Sequence, residues 1–455
     1  MKPQRIAAAL TAVALLVAGC SGRGDAQEET APGGVASGDF GTLSSVCQDG
    51  SASGATAQGV TGDTVEIGVF SDVGFTKQTE LVDAAKVFTS WCNAAGGING
   101  RNVVFEVRDA KLLEVRQRML EACREDFALV GGGAALDGLG VKDRLSCLLP
   151  EFPAQISQPQ NLESDLQVSG LISTYAHYEP YHAFRSWLIN DAHPQSAGAV
   201  GIINGDSPVT KVLGEKAVES MTAAGAKVVY NELYPATGVA DWTPYAQAIK
   251  SKGVKGLVFY GDFRQAAKLE DALTNMDYRL DWIDPTNNSY NPEFLGLASR
   301  SLATQNNYVE LSASVPAQLS ESSPAMTQLH DMYERYAPDG EILLGSVRAI
   351  SSWMLFAKAA ASCGDQLTRA CVYQAARSEK AWEAGGLHVP RDLSLAEATP
   401  QCFNAMKATP DGWKPADFAP DQGLFRCDVA PHRYTGDYGR AMTLADVGKS
   451  MSDVE

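Results

Sequence analysis

Asn93-Ala-Ala-Gly-Gly-Ile-Asn-Gly-Arg101 closes one periodic pattern and opens another. Before it, Glu80 to Asn93 places Leu81, Ala84, Ala85, Phe88 and Trp91 at helical spacing. After it, Val103 to Val107 reads as a strand. Gly96, Gly97 and Gly100 supply positive φ where a helix ends and the chain reverses. Working outward, Val65-Glu-Ile-Gly-Val-Phe70 is a strand, Leu112 to Arg124 a helix and Ala128 to Gly131 a strand. Asp137 to Ser146 is a short helix, and Leu148-Leu149 begins another strand. The alternation then repeats. Strands at Ala199–Ile203, Lys227–Tyr230, Gly256–Tyr260 and Asp281–Ile283 enclose helices at Val212–Ala224, Tyr245–Ser251 and Gln265–Met276. Two successive βαβαβ runs of about 110 residues predict an α/β fold with two doubly wound parallel sheets. Helices over 324–336 and 345–361 and a mixed tail follow.

The N-terminus reads as an export signal. Lys2 and Arg5 precede an apolar run, Ile6 to Val17, that is shorter than the about 20 residues a membrane-spanning helix needs. It ends in Val17-Ala18-Gly19-Cys20, which resembles the lipobox of bacterial lipoproteins, where the cysteine receives a diacylglycerol and the peptide is cut before it. Acyl chains there tether a chain without spanning the bilayer. Ser21 to Gly62 is rich in Gly, Ser, Ala, Thr and Asp with almost no aliphatic periodicity, so a flexible stalk is expected. Loss of Lys2 and Arg5 with residues 1–19 takes the net charge from −17 to −19. So acidic a chain disfavours nucleic acid and anionic lipid as partners, because phosphate recognition depends on Lys and Arg.

Nine cysteines minus Cys20 leave an even number in an exported chain, which suggests four disulfides. Cys363 and Cys371 are close enough to bridge a short loop, and Cys402 and Cys427 to clasp a C-terminal β segment. No C-x-x-C, G-x-S-x-G, H-E-x-x-H or Walker A motif occurs, and the six histidines are scattered. No enzyme, cofactor or metal site is therefore expected. His177, Glu179 and His182 match no standard zinc spacing.

Several of these pieces together resemble a known family. Ile67-Gly-Val69, the Asn93–Arg101 turn, Asp109 at a strand end, Leu129-Val-Gly-Gly-Gly133 and Val258-Phe-Tyr-Gly261 occur in the order seen in the branched-chain amino-acid-binding proteins, the type I periplasmic binding proteins of ABC importers. The similarity spans roughly 64 to 425, and its most specific piece is the glycine turn. It implies two lobes joined by a hinge. Lobe 1 is expected over 63–176 and about 315–384, lobe 2 over 177–314 and about 385–430, with 20–62 a stalk and 431–455 a C-terminal tail. In such a fold, helix C-termini lie opposite the ligand loops, which implies Cys47–Cys92 and Cys123–Cys147 pairs.

Open α/β sheets bind ligands beyond the carboxyl ends of their strands, and interdomain clefts are common pockets. In the first lobe those ends offer Asp72, Asp109, Gly133, Ala135, Asp137, Gln155 and Ser157. The first crossover offers Tyr175 and His177, and the second lobe Asp206, Tyr260, Asp262, Thr286 and Asn288. Bland alternatives stand beside these. Gly131–Gly133 lacks the Gly-Lys-Ser/Thr of a phosphate loop, Asp137 is a natural helix cap, and Tyr260 follows three apolar strand residues. The family's amino-acid binders grip the α-carboxylate with a hydroxyl residue and the α-ammonium with an acidic one. Alignment puts Ala135 and Thr286 at those positions, while Ser157 and Tyr260 match. A neutral Thr cannot pair a buried ammonium. The expected ligand is a small polar molecule other than an ordinary α-amino acid, with Asp206 or Asp262 as substitute charges. The expected partners are that ligand, ABC permease subunits, and the membrane through the Cys20 lipid, on the outer side of the bacterial cell membrane. A sensor of the same fold and a structural envelope lipoprotein with a degenerate cleft are the alternatives.

Overall fold

A computed structural model describes residues 37–400 and 402–454. The lipobox and Cys20 lie outside them. The first lobe runs β1 (Thr64–Ser71), α1 (Val73–Thr76), α2 (Glu80–Ala94), β2 (Asn102–Asp109), α3 (Val115–Glu125), β3 (Ala128–Val130), α4 (Val141–Ser146) and β4 (Glu151–Phe152). The second runs β5 (Tyr178–Glu179), α5 (His182–Trp187), β6 (Val200–Gly205), α6 (Pro208–Ala223), β7 (Val228–Tyr234), α7 (Thr243–Ser251), β8 (Gly256–Tyr260), α8 (Phe263–Asn275), β9 (Trp282–Asp284), α9 (Pro292–Leu297) and β10 (Tyr308–Val309). Helices α10 (Pro324–Tyr336), α11 (Leu344–Cys363) and α12 (Arg369–Arg377) follow, then β11 (Met406–Thr409), β12 (Gly412–Pro415) and β13 (His432–Arg433).

Two parallel sheets form, ordered β2-β1-β3-β4 and β7-β6-β8-β9. These are the two doubly wound halves that the sequence predicts. Central strands such as β6 and β8 are buried along their whole length, as strands covered on both faces must be. Helix α11 is buried nearly all round and covers the first sheet. Its Trp353 stacks on Phe88 with ring centroids 5.1 Å apart. Gly131 has φ +66°, and a Cβ there would collide with the Trp353 indole nitrogen.

The glycine turn adopts the conformation its residues allow, with φ of +103°, +78° and +90° at Gly96, Gly97 and Gly100. Its last residue has a second role. Arg101 is fully buried and donates to the carbonyls of Thr61, Gly54 and Gly364. This corrects the stalk expectation for the described part of residues 20–62. Phe40, Val46, Cys47 and Val60 are buried in the first lobe's core, so residues 38–62 dock on the lobe. A few apolar anchors, one arginine and one disulfide order a segment whose composition alone reads as flexible. The disulfides are Cys47–Cys92, Cys123–Cys147, Cys363–Cys371 and Cys402–Cys427.

Three segments join the lobes. Val168 sits in the first core and Phe184 in the second lobe; Val309 and Leu311 sit in the second and Val315 in the first; Leu393 sits in the first and Phe403 in the second. The C-terminal segment makes a fourth crossing. Its β13 pairs antiparallel with β5, and Leu444 then packs against Val141 and Leu145 of α4.

Candidate functional site

The crossings line a narrow cavity at the seam. Ile172, Tyr175 and Pro180 line it from the first crossing, Glu310, Ser312 and Ala313 from the second, and Val389, Arg391 and Pro400 from the third. Ser312 and Ala313 both hold positive φ, +56° and +51°, an uncommon conformation that turns the backbone around Glu310. The Ala313 N–H donates to Glu310 Oε1 at 2.8 Å. Burial nonetheless pushes the Glu310 carboxyl up to about 7. Arg391 lies over the Tyr175 ring, 5.6 Å from its centroid.

Beside this cavity two arginines are buried at the seam. Arg185 of α5 donates from Nε to Asp284 Oδ2 at 2.9 Å and from Nη1 to Glu179 Oε1 at 3.2 Å. The rings of Tyr181 and Tyr260 flank it at 4.9 and 5.3 Å. The Tyr434 hydroxyl closes the group by donating to Glu179 Oε2 at 2.9 Å. Arg185 is thus charge-paired by two carboxylates, with only its Nη2 left without a partner among the described residues. Arg348 of α11 is different. It is 7% exposed, its Nε has no partner, and its Nη2 reaches only Ser312 Oγ, at 3.5 Å.

Of the residues singled out by sequence, Tyr175 lines the seam cavity. Gly133 and Asp137 line a smaller one inside the first lobe. Most of the others hold loops together. Asp72 accepts from the N–H groups of Leu112 (2.6 Å) and Ala135 (2.8 Å), tying three strand-end loops into one rim. Asp109 accepts from the N–H groups of Gly74 and Lys111. Asp137 caps no helix; it accepts from the N–H groups of Ser157 and Gln158 and from Asn161, while burial pushes it up to about 7. Gln155 is exposed and reaches Ser157 Oγ at 3.2 Å. His177 is exposed near Glu397. Asp206 pairs with Lys211. Asp262 caps α8 through the Arg264 N–H. Tyr260 is buried in the core against Arg185. The Thr286 hydroxyl donates to Pro285 O and Asn288 Oδ1, and Asn288 donates to Gly261 O.

Glu310, Arg348 and Arg391 escaped the sequence reading. A signal existed: Val309-Glu-Leu311 and Val347-Arg-Ala-Ile350 each bury one charge in an apolar run. Among the described residues no helix is long and apolar enough to cross a membrane, and no group of three His, Cys, Asp or Glu is placed to hold a metal.

A family model described as periplasmic binding protein matches residues 64–412. No curated protein matches the chain. Among solved structures, a fatty acid ABC transporter substrate-binding protein from Thermomonospora curvata superposes with TM-score 0.65 at 17% identity, covering 82% of this chain and 99% of that one. A leucine binding protein from Thermotoga maritima gives TM-score 0.63 at 11% identity, covering 78% and 98%. A branched-chain amino acid transporter substrate binding protein from Streptococcus pneumoniae, solved with isoleucine, gives 0.57 at 16%, covering 82% and 99%.

Proposed function

Because the chain belongs to the periplasmic binding protein family, we propose that it captures a small polar organic molecule between its lobes and delivers it to the permease of an ABC importer. The observation that carries this reading is the seam cavity lined by the first three of the four interlobe crossings. A ligand there touches the segments about which the lobes rotate, so its contacts bias the open–closed equilibrium directly. Export and anchoring through a lipid on Cys20, facing outward, complete the reading.

The ligand is not an ordinary α-amino acid. Thr286 carries no charge, Asp206 is paired with Lys211, and Asp262 is committed to a helix cap. None of these three is left for an ammonium. Glycosyl, phosphoryl or acyl chemistry is not part of the reading; capture and release are.

A thermal-shift screen of metabolites, followed by solution scattering on each hit, tests it. A true ligand at 100 times its Kd stabilises the fold by about 2.7 kcal/mol and also compacts the chain. Ligands that stabilise without compaction would leave a binder but remove hinge closure. Tight leucine binding in calorimetry would refute the ligand class.

A further inference from the structure

We infer that Arg348 is the anion receptor of the interlobe site, and that the captured solute is a small organic carboxylate with an apolar body. The inference rests on the solute-capture reading above and adds the ligand's charge and the residue that takes it.

The argument begins with an imbalance. A guanidinium removed from water demands a carboxylate or a full set of hydrogen bonds. Arg185, a few residues into the second lobe, has two carboxylates, Asp284 and Glu179, although its Nη2 is without a partner. Arg348 has neither a carboxylate nor a full set among the described residues. Its Nε is buried without a partner, and a single 3.5 Å approach to Ser312 Oγ is its one hydrogen bond. The charged and polar groups that face it are Tyr181, ahead of α5, Glu310, on the second crossing, and Glu80, at the start of α2. No carboxylate lies within ion-pair reach. Both Glu310 and Glu80 are themselves raised by burial, which reduces the negative charge they offer.

The alternative carboxylate subsite is closed. In the family's amino-acid binders a first-lobe hydroxyl and backbone N–H groups take the carboxylate. Near Ala135, where the sequence reading expects that grip, the N–H is already donated to Asp72. A second carboxylate brought to that point would face the Asp72 charge at short range. One end of the site has lost its anion grip, and another part carries an unpaired cation.

The class of anion follows from the surroundings. A planar guanidinium fork matches a carboxylate. Two flanking glutamates disfavour a multiply charged phosphate. Ser312, the one hydrogen-bond partner of Arg348 among the described residues, lines the seam cavity, where Ile172, Pro180, Val389 and the Tyr175 ring offer apolar surface for the remainder of the molecule.

The test compares acids with their neutral amides. Benzoate and hexanoate are titrated against benzamide and hexanamide at matched ionic strength on the full chain, on Arg348→Met and on Arg348→Lys, with melting temperature and scattering as readouts. The acids are expected to bind at least tenfold more tightly than the amides. Arg348→Met should lose that preference, and Arg348→Lys should keep part of it. Unliganded Arg348→Met should melt no lower than the parent, since it removes an unpaired buried charge; a purely structural arginine would lower it. Equal binding of acid and amide, failure of the acids to bind, or acid binding unchanged in Arg348→Met overturns the assignment. If Arg348→Met does not fold, the acid–amide comparison on the parent and on Arg348→Lys decides. Amides that compact the chain as well as acids do would sink the anion receptor yet leave solute capture standing. Acids that bind through Arg348 without compacting the chain would remove hinge closure and leave the receptor standing.

Discussion

The C-terminal crossing makes a quantitative prediction, because it has one foot on each lobe. On the second lobe, Glu219 of α6 accepts from the N–H groups of Thr435 (2.6 Å) and Gly436 (3.0 Å) and the hydroxyls of Tyr438 (2.8 Å) and Thr435 (3.1 Å). Burial would raise its pKa, but these donations outweigh burial and hold it down to about 2. On the first lobe, Leu444 is 2% exposed against Val141, Leu145 and Leu166, and its N–H donates to Asp165 Oδ2 at 2.7 Å. Leu444→Ala removes a buried isobutyl group, worth roughly 2–5 kcal/mol in a sealed core. Glu219→Ala removes several charge-assisted acceptor contacts, each worth about 1.5–3 kcal/mol when buried. Neither variant should show its full value. Once a foot detaches, its donors return to water, and the loss is capped by the free energy of peeling residues 432–454, a local opening that lies below the stability of the whole fold. If the segment peels as one unit, the double variant costs little more than either single one, a coupling of the size seen between directly linked sites. Hydrogen exchange on peptides from 432–443 and 444–454 measures this. Either single change should raise exchange in both peptides, and the double variant should expand the chain in scattering. Faster exchange confined to the mutated foot, with additive losses, would refute the strap.

Two more outcomes follow from buried groups and covalent links. Glu270 accepts from Asn307 and Ser301, yet burial raises it to about 7, so the stability it allows is complete below about pH 4.5 and lost as pH rises through 7. Glu270→Gln should therefore melt higher than the parent at pH 8 by a wider margin than at pH 5, and a margin independent of pH would contradict the assignment. Removing Cys47–Cys92, which spans 45 residues, should cost about 4 kcal/mol, against about 2.5 kcal/mol for Cys363–Cys371, which spans 8, as read by denaturant melts of the paired serine variants.

The sequence announced the scaffold because its signals are local. Positive φ at Gly96, Gly97 and Gly100, strand runs buried on both faces, and helical spacing in 80–93 each follow from neighbours along the chain. Residues 38–62 were misread for the opposite reason. Their order comes from Arg101, Cys92 and the first core, tens of residues away, and composition cannot see such partners. Asp72, Asp109 and Asp137 stand at strand ends where ligand contacts are expected, but which backbone N–H each carboxylate takes is fixed only when the loops fold.

That division bears on how charge at a binding seam should be sought. The rule that ligands lie beyond strand ends picks out loops, and in this chain the loop carboxylates are consumed by loop N–H groups. The unspent charge stands instead on a helix, at Arg348, and on a crossing strand, at Glu310, where an apolar pattern makes each residue look like an interruption. A buried ionisable group has to be matched by something. Arg101 and Arg185 interrupt their own patterns in the same way; Arg101 is matched by three carbonyls, and Arg185 by two carboxylates that leave only its Nη2 without a partner among the described residues. Arg348 shares their burial and lacks their partners. A charge in an apolar run is therefore only half of the signal. The other half is its unfilled hydrogen-bonding capacity in the folded chain, which separates an arginine that holds the protein together from one that waits for a molecule from outside.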